Sequence, residues 1–275
     1  MKTLLDVHEL RDRMTSGRRT VLLDVRWALG DPHGHDHYLA AHLPGAAYVD
    51  LESELCAPGA PGRGRHPLPD PAALQESAHR WGIDDGDTVV AYDDSGNLAA
   101  ARLWWLLRDA GLPSVFLLDG GLSAWRAAGF DVEGGEVRPE GGTVRLSSGK
   151  LPVVSTSELH EPGSVGTVLD ARAGERFRGE HEPVDPQAGH IPGAISAPTT
   201  ENLGEDKRFR SADELRRRFQ ELGAGNGRVA VYCGSGITAA HEIAALEIAG
   251  IEAALYPGSW SQWSTTEGLP VATGA

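Results

Sequence analysis

The sequence has little cysteine and a deficit of positive charge. Of its 275 residues only Cys56 and Cys233 are cysteine, and 25 basic side chains stand against 39 acidic ones. So few cysteines form no disulfide framework, which favours a reducing compartment. A net charge of −14 repels nucleic acid and anionic membrane, so we expect neither as a partner. Acidic residues from Asp6 onward interrupt the first apolar run, which predicts no signal peptide or membrane anchor, and hence a cytoplasmic protein.

The composition and length predict a globular protein with two domains. Apolar residues make up 40% and charged residues 23%, with 35 glycines, which is typical of a loop-rich globular fold. A chain of this length exceeds one typical domain, and two domains of roughly 120 to 140 residues could each bury a core.

Motifs of the first half recur in the same order in the second half. The offsets are 138 to 148 residues, and their slow change indicates insertions in loops. We therefore predict a duplicated domain: an inactive copy over 1–135, a linker over 136–152 and a catalytic copy over 153–275. The matching pairs are Leu22–Arg26 with Val168–Arg172, His42–Ala46 with His190–Ala194, Val89–Ala100 with Val229–Ala240, and Gly120–Trp125 with Gly258–Trp263.

Each copy alternates strand-like and helix-like segments. Val89–Tyr92, Val115–Leu118 and Val229–Tyr232 have the length and β-branched composition of strands. Residues 97–110 and 238–250 carry apolar residues at helical spacing. Alternation of strand and helix predicts an α/β fold, with a mainly parallel sheet flanked by helices in each copy.

Cys233 is the strongest candidate for a reactive group. It directly follows a predicted strand and precedes a predicted helix, the position where sites form in open α/β sheets. The small residues that follow can wrap around the sulfur and point backbone N–H groups at it, which favours a thiolate nucleophile; these are Gly234, Ser235, Gly236, Ile237 and Thr238. The alternative is a buried cysteine that acts only as a small apolar residue.

The duplication provides an internal comparison for this loop. Asp93 stands in the first copy where the second has Cys233. A carboxylate is no sulfur nucleophile, so we expect the first copy to be inactive.

Taken in order in both halves, these motifs resemble the two-domain rhodanese family over nearly all of the chain. They are the Asp-x-Arg strand ends, the His-x-Pro-Gly-Ala segments, the loop after Cys233 and the segment that ends at Trp263. The resemblance implies a sulfurtransferase without metal or cofactor. Its cysteine takes a sulfane sulfur from a small donor, holds it as a persulfide and passes it to a thiophilic acceptor such as cyanide or a thiol.

The donor is inferred from charge in the loop. A neutral Cys-Gly-Ser-Gly-x-Thr loop resembles that of 3-mercaptopyruvate enzymes, whereas enzymes that use thiosulfate carry basic residues there. Arg176 matches the family's anion-binding arginine and could grip a carboxylate, although a surface salt bridge is the alternative. The second arginine that mercaptopyruvate enzymes often carry is missing, since this chain reads Val184-Asp185 there. A thiosulfate-preferring rhodanese therefore remains an alternative.

Two hydroxyl groups and one histidine are candidates for hydrogen bonding and proton transfer. Ser235 and Thr238 could donate hydrogen bonds at the site, with helix capping as the alternative for Thr238. His42 matches the histidine of a serine-histidine-aspartate relay in the resembled enzymes. Since His190 occupies the equivalent place in the other copy, both histidines could instead fasten their turns.

Other features point away from competing functions. Phosphatases that share this fold need an arginine six residues after the cysteine, where this chain has Ala239. The alternating histidines over 33–37 lie in a predicted loop without a second cluster, so we expect no metal site. We expect Cys56 to be inert and Trp260 and Trp263 to be core residues. A persulfide-relay module that delivers sulfur to a partner protein is the main alternative to a small-molecule enzyme.

Overall fold

The computed structural model describes residues 2–60, 62–161, 163–225 and 227–275, which form two compact units. The units are not simple halves of the chain. Unit 1 consists of Met1–Ala57, Pro69–Lys150 and Glu205–Phe209, and unit 2 of Pro58–Leu68, Leu151–Gly204 and Arg210–Ala275. The boundaries at 135 and 153 stay a prediction for the repeated sequence. The exchange of the two short segments is not evident from sequence.

Unit 1 is an all-parallel sheet with helices, in the strand order β1-β5-β4-β2-β3. Side-chain caps begin several helices: Asp6 and Glu9 form a capping box, and Asp70 caps the helix that starts with Pro71. The elements are β1 Leu4–Leu5, α1 Val7–Thr15, β2 Thr20–Asp24, α2 Gly34–Ala40, β3 Ala47–Tyr48, α3 Leu51–Glu54, α4 Pro71–Arg80, β4 Thr88–Tyr92, α5 Ala100–Asp109, β5 Val115–Leu118 and α6 Gly121–Ala127.

Unit 2 repeats this plan with the parallel order β7-β6-β8-β9. A parallel bridge from Val153 to Leu255 extends the sheet beyond β9, in the place that β1 has in unit 1. The elements are α7 Thr156–His160, β6 Thr167–Asp170, α8 Gly174–Phe177, β7 Ile195–Ser196, a 3-10 helix Thr199–Asn202, α9 Ala212–Glu221, β8 Val229–Tyr232, α10 Thr238–Ile248, β9 Ala253–Leu255 and α11 Ser259–Trp263.

Equivalent strands pair in the same register in the two sheets. Asp24 pairs with Tyr92 in unit 1, and Asp170 pairs with Tyr232 in unit 2. Each aspartate is buried and accepts a hydrogen bond from the arginine two residues later. Both Asp-x-Arg motifs are thus explained as structural supports at strand ends. The predicted α/β fold and its duplication are confirmed.

The interior of each unit is rich in aromatic and aliphatic side chains. Trp125 packs in the unit 1 core, and Trp260 and Trp263 in that of unit 2, all at most 1% exposed. Both tryptophans of unit 2 are thus core residues, as predicted. The loop predicted around the three alternating histidines is wrong in part, because residues from Gly34 onward form α2. Among the described residues, no helix is long and apolar enough to cross a membrane.

Candidate active site

Cys233 lies in a tight loop between β8 and α10. Its side chain is 2% exposed, and the backbone N–H of Gly236 donates a hydrogen bond to Sγ at 3.1 Å. This N–H is one group of the nest predicted for the loop, at the carboxyl edge of the unit 2 sheet; the roles of Gly234, Ser235, Ile237 and Thr238 in donor binding stay predictions.

The start of α11 fixes the orientation of this loop. The N–H groups of Trp260 and Ser261 donate to the carbonyl oxygens of Cys233 and Gly234, each at 2.9 Å. Ser259 Oγ accepts from the Cys233 N–H at 3.2 Å. Because α11 holds these carbonyl groups, the loop is fixed in a conformation in which the Gly236 N–H faces the sulfur. This explains why the segment that ends at Trp263 accompanies the cysteine loop.

Thr238 begins α10 directly behind the loop. Ile237 precedes it in a helical conformation, and no side chain caps this end of the helix in the described part of the chain. The alternative in which Thr238 serves as a helix cap is therefore wrong. Residues 239 to 246 are all buried, so the helix is a rigid support whose N-terminus favours negative charge near the sulfur.

Ser235 is paired with a histidine that the sequence analysis did not single out. Its Oγ and His66 Nδ1 are 2.7 Å apart and buried. His66 belongs to the short segment Pro58–Leu68, which is part of unit 2. A hydroxyl and an imidazole at this distance can pass a proton to or from a reacting group beside Cys233.

His42 lies elsewhere, in unit 1. Its ring is fully buried and both ring nitrogens contact carbonyl oxygens, Nδ1 that of Leu43 at 2.9 Å and Nε2 that of Gly135 at 3.0 Å. His190 contacts the carbonyl oxygen of Phe177 at 2.8 Å in unit 2. Both histidines thus hold backbone in place, which is the structural alternative weighed for His42.

Two guanidinium groups, not one, lie beside the loop. Arg176 donates from Nε and Nη2 to Glu182 at 3.1 and 2.6 Å, and from Nη2 to Asp185 at 3.3 Å. Arg65 forms an ion pair with the other oxygen of Asp185. A Cβ atom placed on Gly234 would lie 3.3 Å from Arg65 Nη2 and 3.4 Å from Arg176 Nη1. Both arginines thus lie beside Gly234; the sequence singled out Arg176 and not Arg65, and donor binding by Arg176 stays a prediction.

The pKa values of the two carboxylates in this cluster are shifted in opposite directions. Burial raises the pKa of Asp185, and the charge of Arg65 only partly offsets this. Burial acts in the same direction on Glu182, but hydrogen bonds from Arg176 and two backbone N–H groups hold its pKa below the usual range. Glu182 is thus a firm anchor for Arg176.

The corresponding loop of unit 1 is filled by its own aspartate. Asp93 accepts hydrogen bonds from the N–H groups of four residues at 2.7 to 3.2 Å, namely Ser95, Asn97, Ala99 and Ala100. The loop therefore has the geometry of an anion cradle, and a carboxylate of the chain occupies it. This explains physically why we expect the first copy to be inactive.

Cys56 and the alternating histidines are in settings unlike that of Cys233. Cys56 is 6% exposed, and burial raises the pKa of its thiol to about 11, so it is a poor nucleophile at neutral pH. His33, His35 and His37 each contact a different carboxylate in unit 1. In the described ranges no cluster of three or more metal-binding side chains occurs.

Comparison with known proteins identifies the family of this chain. The rhodanese-like domain model matches residues 6–128 and 155–266. A Mycobacterium tuberculosis protein provisionally named thiosulfate sulfurtransferase SseB is 46% identical over 99% of this chain and 98% of its own length. A Pseudomonas aeruginosa protein provisionally named 3-mercaptopyruvate sulfurtransferase is 46% identical over 98% of both. The solved 3-mercaptopyruvate sulfurtransferase from Leishmania major is 30% identical, with a TM-score of 0.84 over 96% of this chain and 74% of that one.

The chain belongs to the rhodanese-like family, with two tandem copies of the domain. It is a sulfurtransferase.

Proposed function

We propose that Cys233 takes a sulfur atom from 3-mercaptopyruvate and holds it as a persulfide until a thiophilic acceptor removes it. The observation that carries this proposal is the pair formed by Ser235, in the same loop as the cysteine, and His66, in the segment Pro58–Leu68. The loop itself supplies N–H groups for a negative sulfur, as the hydrogen bond from Gly236 illustrates.

The reaction explains why a proton-transfer pair is needed. The Cys233 thiolate attacks the donor sulfur, an S–S bond forms, and the carbon–sulfur bond breaks with its electron pair left on carbon. The resulting enolate must gain a proton to become pyruvate, while the donor thiol loses one to leave a persulfide anion. We propose that Ser235 and His66 carry this proton, the role that the family resemblance suggested for His42.

Thiosulfate is the second candidate donor, favoured by the two guanidinium groups and by the name of the Mycobacterium relative. Its leaving group, sulfite, needs no proton. The cluster of Arg65, Arg176, Glu182 and Asp185 also carries balanced formal charges, so it favours one added carboxylate over a compact dianion. Both arguments support 3-mercaptopyruvate as the better donor.

We propose a small thiol or cyanide as the acceptor, with a thiol protein as the alternative, and the cytoplasm as the location. The proposed location rests on the two free cysteines, since the chemistry needs Cys233 in the reduced state. A protein acceptor would show itself as transfer of labelled sulfur to that protein at a rate above transfer to a small thiol.

The decisive experiment compares kcat/KM for 3-mercaptopyruvate and thiosulfate with one acceptor at equal concentration. Incubation with donor alone should add one sulfur atom, about 32 Da, to the peptide that contains Cys233. Cys233→Ser should lose both the added mass and turnover while keeping its melting temperature. A preference for thiosulfate would refute the donor, and labelling at Cys56 alone would refute the nucleophile.

A further inference from the structure

The segment Pro58–Leu68 is fastened to unit 2 at several points around the cysteine loop. The Arg65 N–H donates to Ser261 Oγ at 3.1 Å, and Gln262 Nε2 donates to the Gly62 carbonyl oxygen at 2.5 Å. Gly64 has φ +81°, and a Cβ atom there would lie 2.7 Å from the Gly258 carbonyl oxygen. This close approach requires glycine and fixes the backbone from which Arg65 extends.

In each arginine, different nitrogen atoms contact the carboxylates and approach the loop. Asp185 contacts Arg65 Nη1 and Arg176 Nη2, and Glu182 contacts Arg176 Nε and Nη2. The two nitrogens nearest to a Cβ atom on Gly234 are the other terminal ones, Arg65 Nη2 and Arg176 Nη1, and Arg176 Nη2 follows at 3.7 Å. The carboxylates thus hold each guanidinium group in place, and one terminal nitrogen of each lies close to Gly234.

The two nitrogens lie beside the residue that directly follows the nucleophile. A Cβ atom on Gly234 would be 3.3 Å from Arg65 Nη2 and 3.4 Å from Arg176 Nη1, so a side chain at this position would crowd both guanidinium groups. Glycine leaves their approach to the loop open. A carboxylate bound beside Gly234 could therefore accept hydrogen bonds from both arginines next to Cys233.

We propose that Arg65 is the second donor-binding arginine of this enzyme and that, with Arg176, it selects donors that carry a carboxylate. It supplies the positive group that the sequence lacks at Val184, from a different segment of the chain. This inference rests on the proposed function, because it concerns the donor of the same site.

A pair of donors that differ only in the carboxylate tests the role of Arg65. 1-Mercaptopropan-2-one has the thiol and ketone of 3-mercaptopyruvate, with a methyl group in place of the carboxylate. Arg65→Ala should lower kcat/KM for 3-mercaptopyruvate about 10- to 100-fold, mainly through KM, the range expected for one charge-assisted hydrogen bond. Turnover of the ketone thiol should change less than about twofold. Arg65→Lys should restore only part of the loss, because the fork geometry is absent.

Two further variants separate donor binding from structural support. Arg63→Ala, at an exposed position of the same segment, should leave both donors unaffected. Arg65→Ala with Asp185→Asn removes the charge of the carboxylate that would otherwise lose one of its two arginine partners, and should show the same selective loss with a melting temperature near that of the wild type.

The outcomes distinguish this inference from the proposed function. Equal losses with both donors in Arg65→Ala and in the double variant would overturn the inference, because Arg65 would then support the loop and not the donor. If the wild type takes sulfur from neither carbonyl thiol, the proposed donor fails, and the inference fails with it.

Discussion

Replacement of Ser235 by alanine should separate the two candidate donors. The substitution removes the hydroxyl that contacts His66 Nδ1 at 2.7 Å and leaves the loop backbone in place. Loss of one buried hydrogen bond with an imidazole left unmatched costs about 1 to 3 kcal/mol of folding free energy. This cost is small enough for a folded variant, which a thermal melt verifies.

The kinetic effect should be larger and specific to one donor. Loss of proton transfer typically lowers a rate about 10²- to 10⁴-fold, which corresponds to about 3 to 5 kcal/mol of activation free energy. We expect a fall of this size in kcat for 3-mercaptopyruvate, whose carbon leaving group needs a proton. With thiosulfate the change should stay within about tenfold, because only a hydrogen bond to the donor is lost.

The assay is steady-state turnover with both donors and one acceptor, repeated for His66→Ala and for the double variant. If Ser235 and His66 act as a unit, the double variant should be no slower than either single one. Equal losses with both donors would refute proton transfer and indicate that the pair only shapes the loop. Additive losses would refute the joint action of the two residues.

Two further predictions concern single side chains. Cys56→Ser should change turnover by less than about twofold. With a pKa of about 11, Cys56 should be thiolate in only about one molecule in a thousand at pH 8, so an alkylating reagent at pH 8 should label Cys233 first. Faster labelling of Cys56 would contradict this. Arg176→Ala should weaken donor use by about 1.5 to 3 kcal/mol with little change in melting temperature, and Arg176→Lys should recover part; a large fall in melting temperature with normal kcat/KM would indicate a structural salt bridge instead.

Local sequence predicts most of the fold because the strands are short and distinctive. Val115–Leu118 and Val229–Tyr232 are strands with the predicted bounds. The helix predicted over 97–110 begins three residues later, at Ala100, because Asn97 has φ 69° and the N–H groups before the helix turn toward Asp93. A contact with a central carboxylate overrides helical propensity there.

The candidate site was only partly predictable, because Arg65 and His66 come from a distant segment. Their partners, Asp185 and Ser235, are 120 and 169 residues away in sequence. The surrounding segment is rich in Gly and Pro and shows no periodicity. One signal was available. Features present in both copies are structural, as His42 and His190 are. His66, in the sequence Arg-His-Pro, has no counterpart in the other copy and was therefore the better candidate for a role in the chemistry.

The exchange of short segments between the two units has a consequence for truncation of the chain. Arg65 and His66 lie in the sequence of the copy whose own cradle is filled by Asp93, yet they belong to the unit that contains Cys233. If they act as proposed, a fragment that begins at residue 153 would contain the nucleophile without its partners for proton transfer and donor binding. The second copy would then depend for its chemistry on side chains from the first.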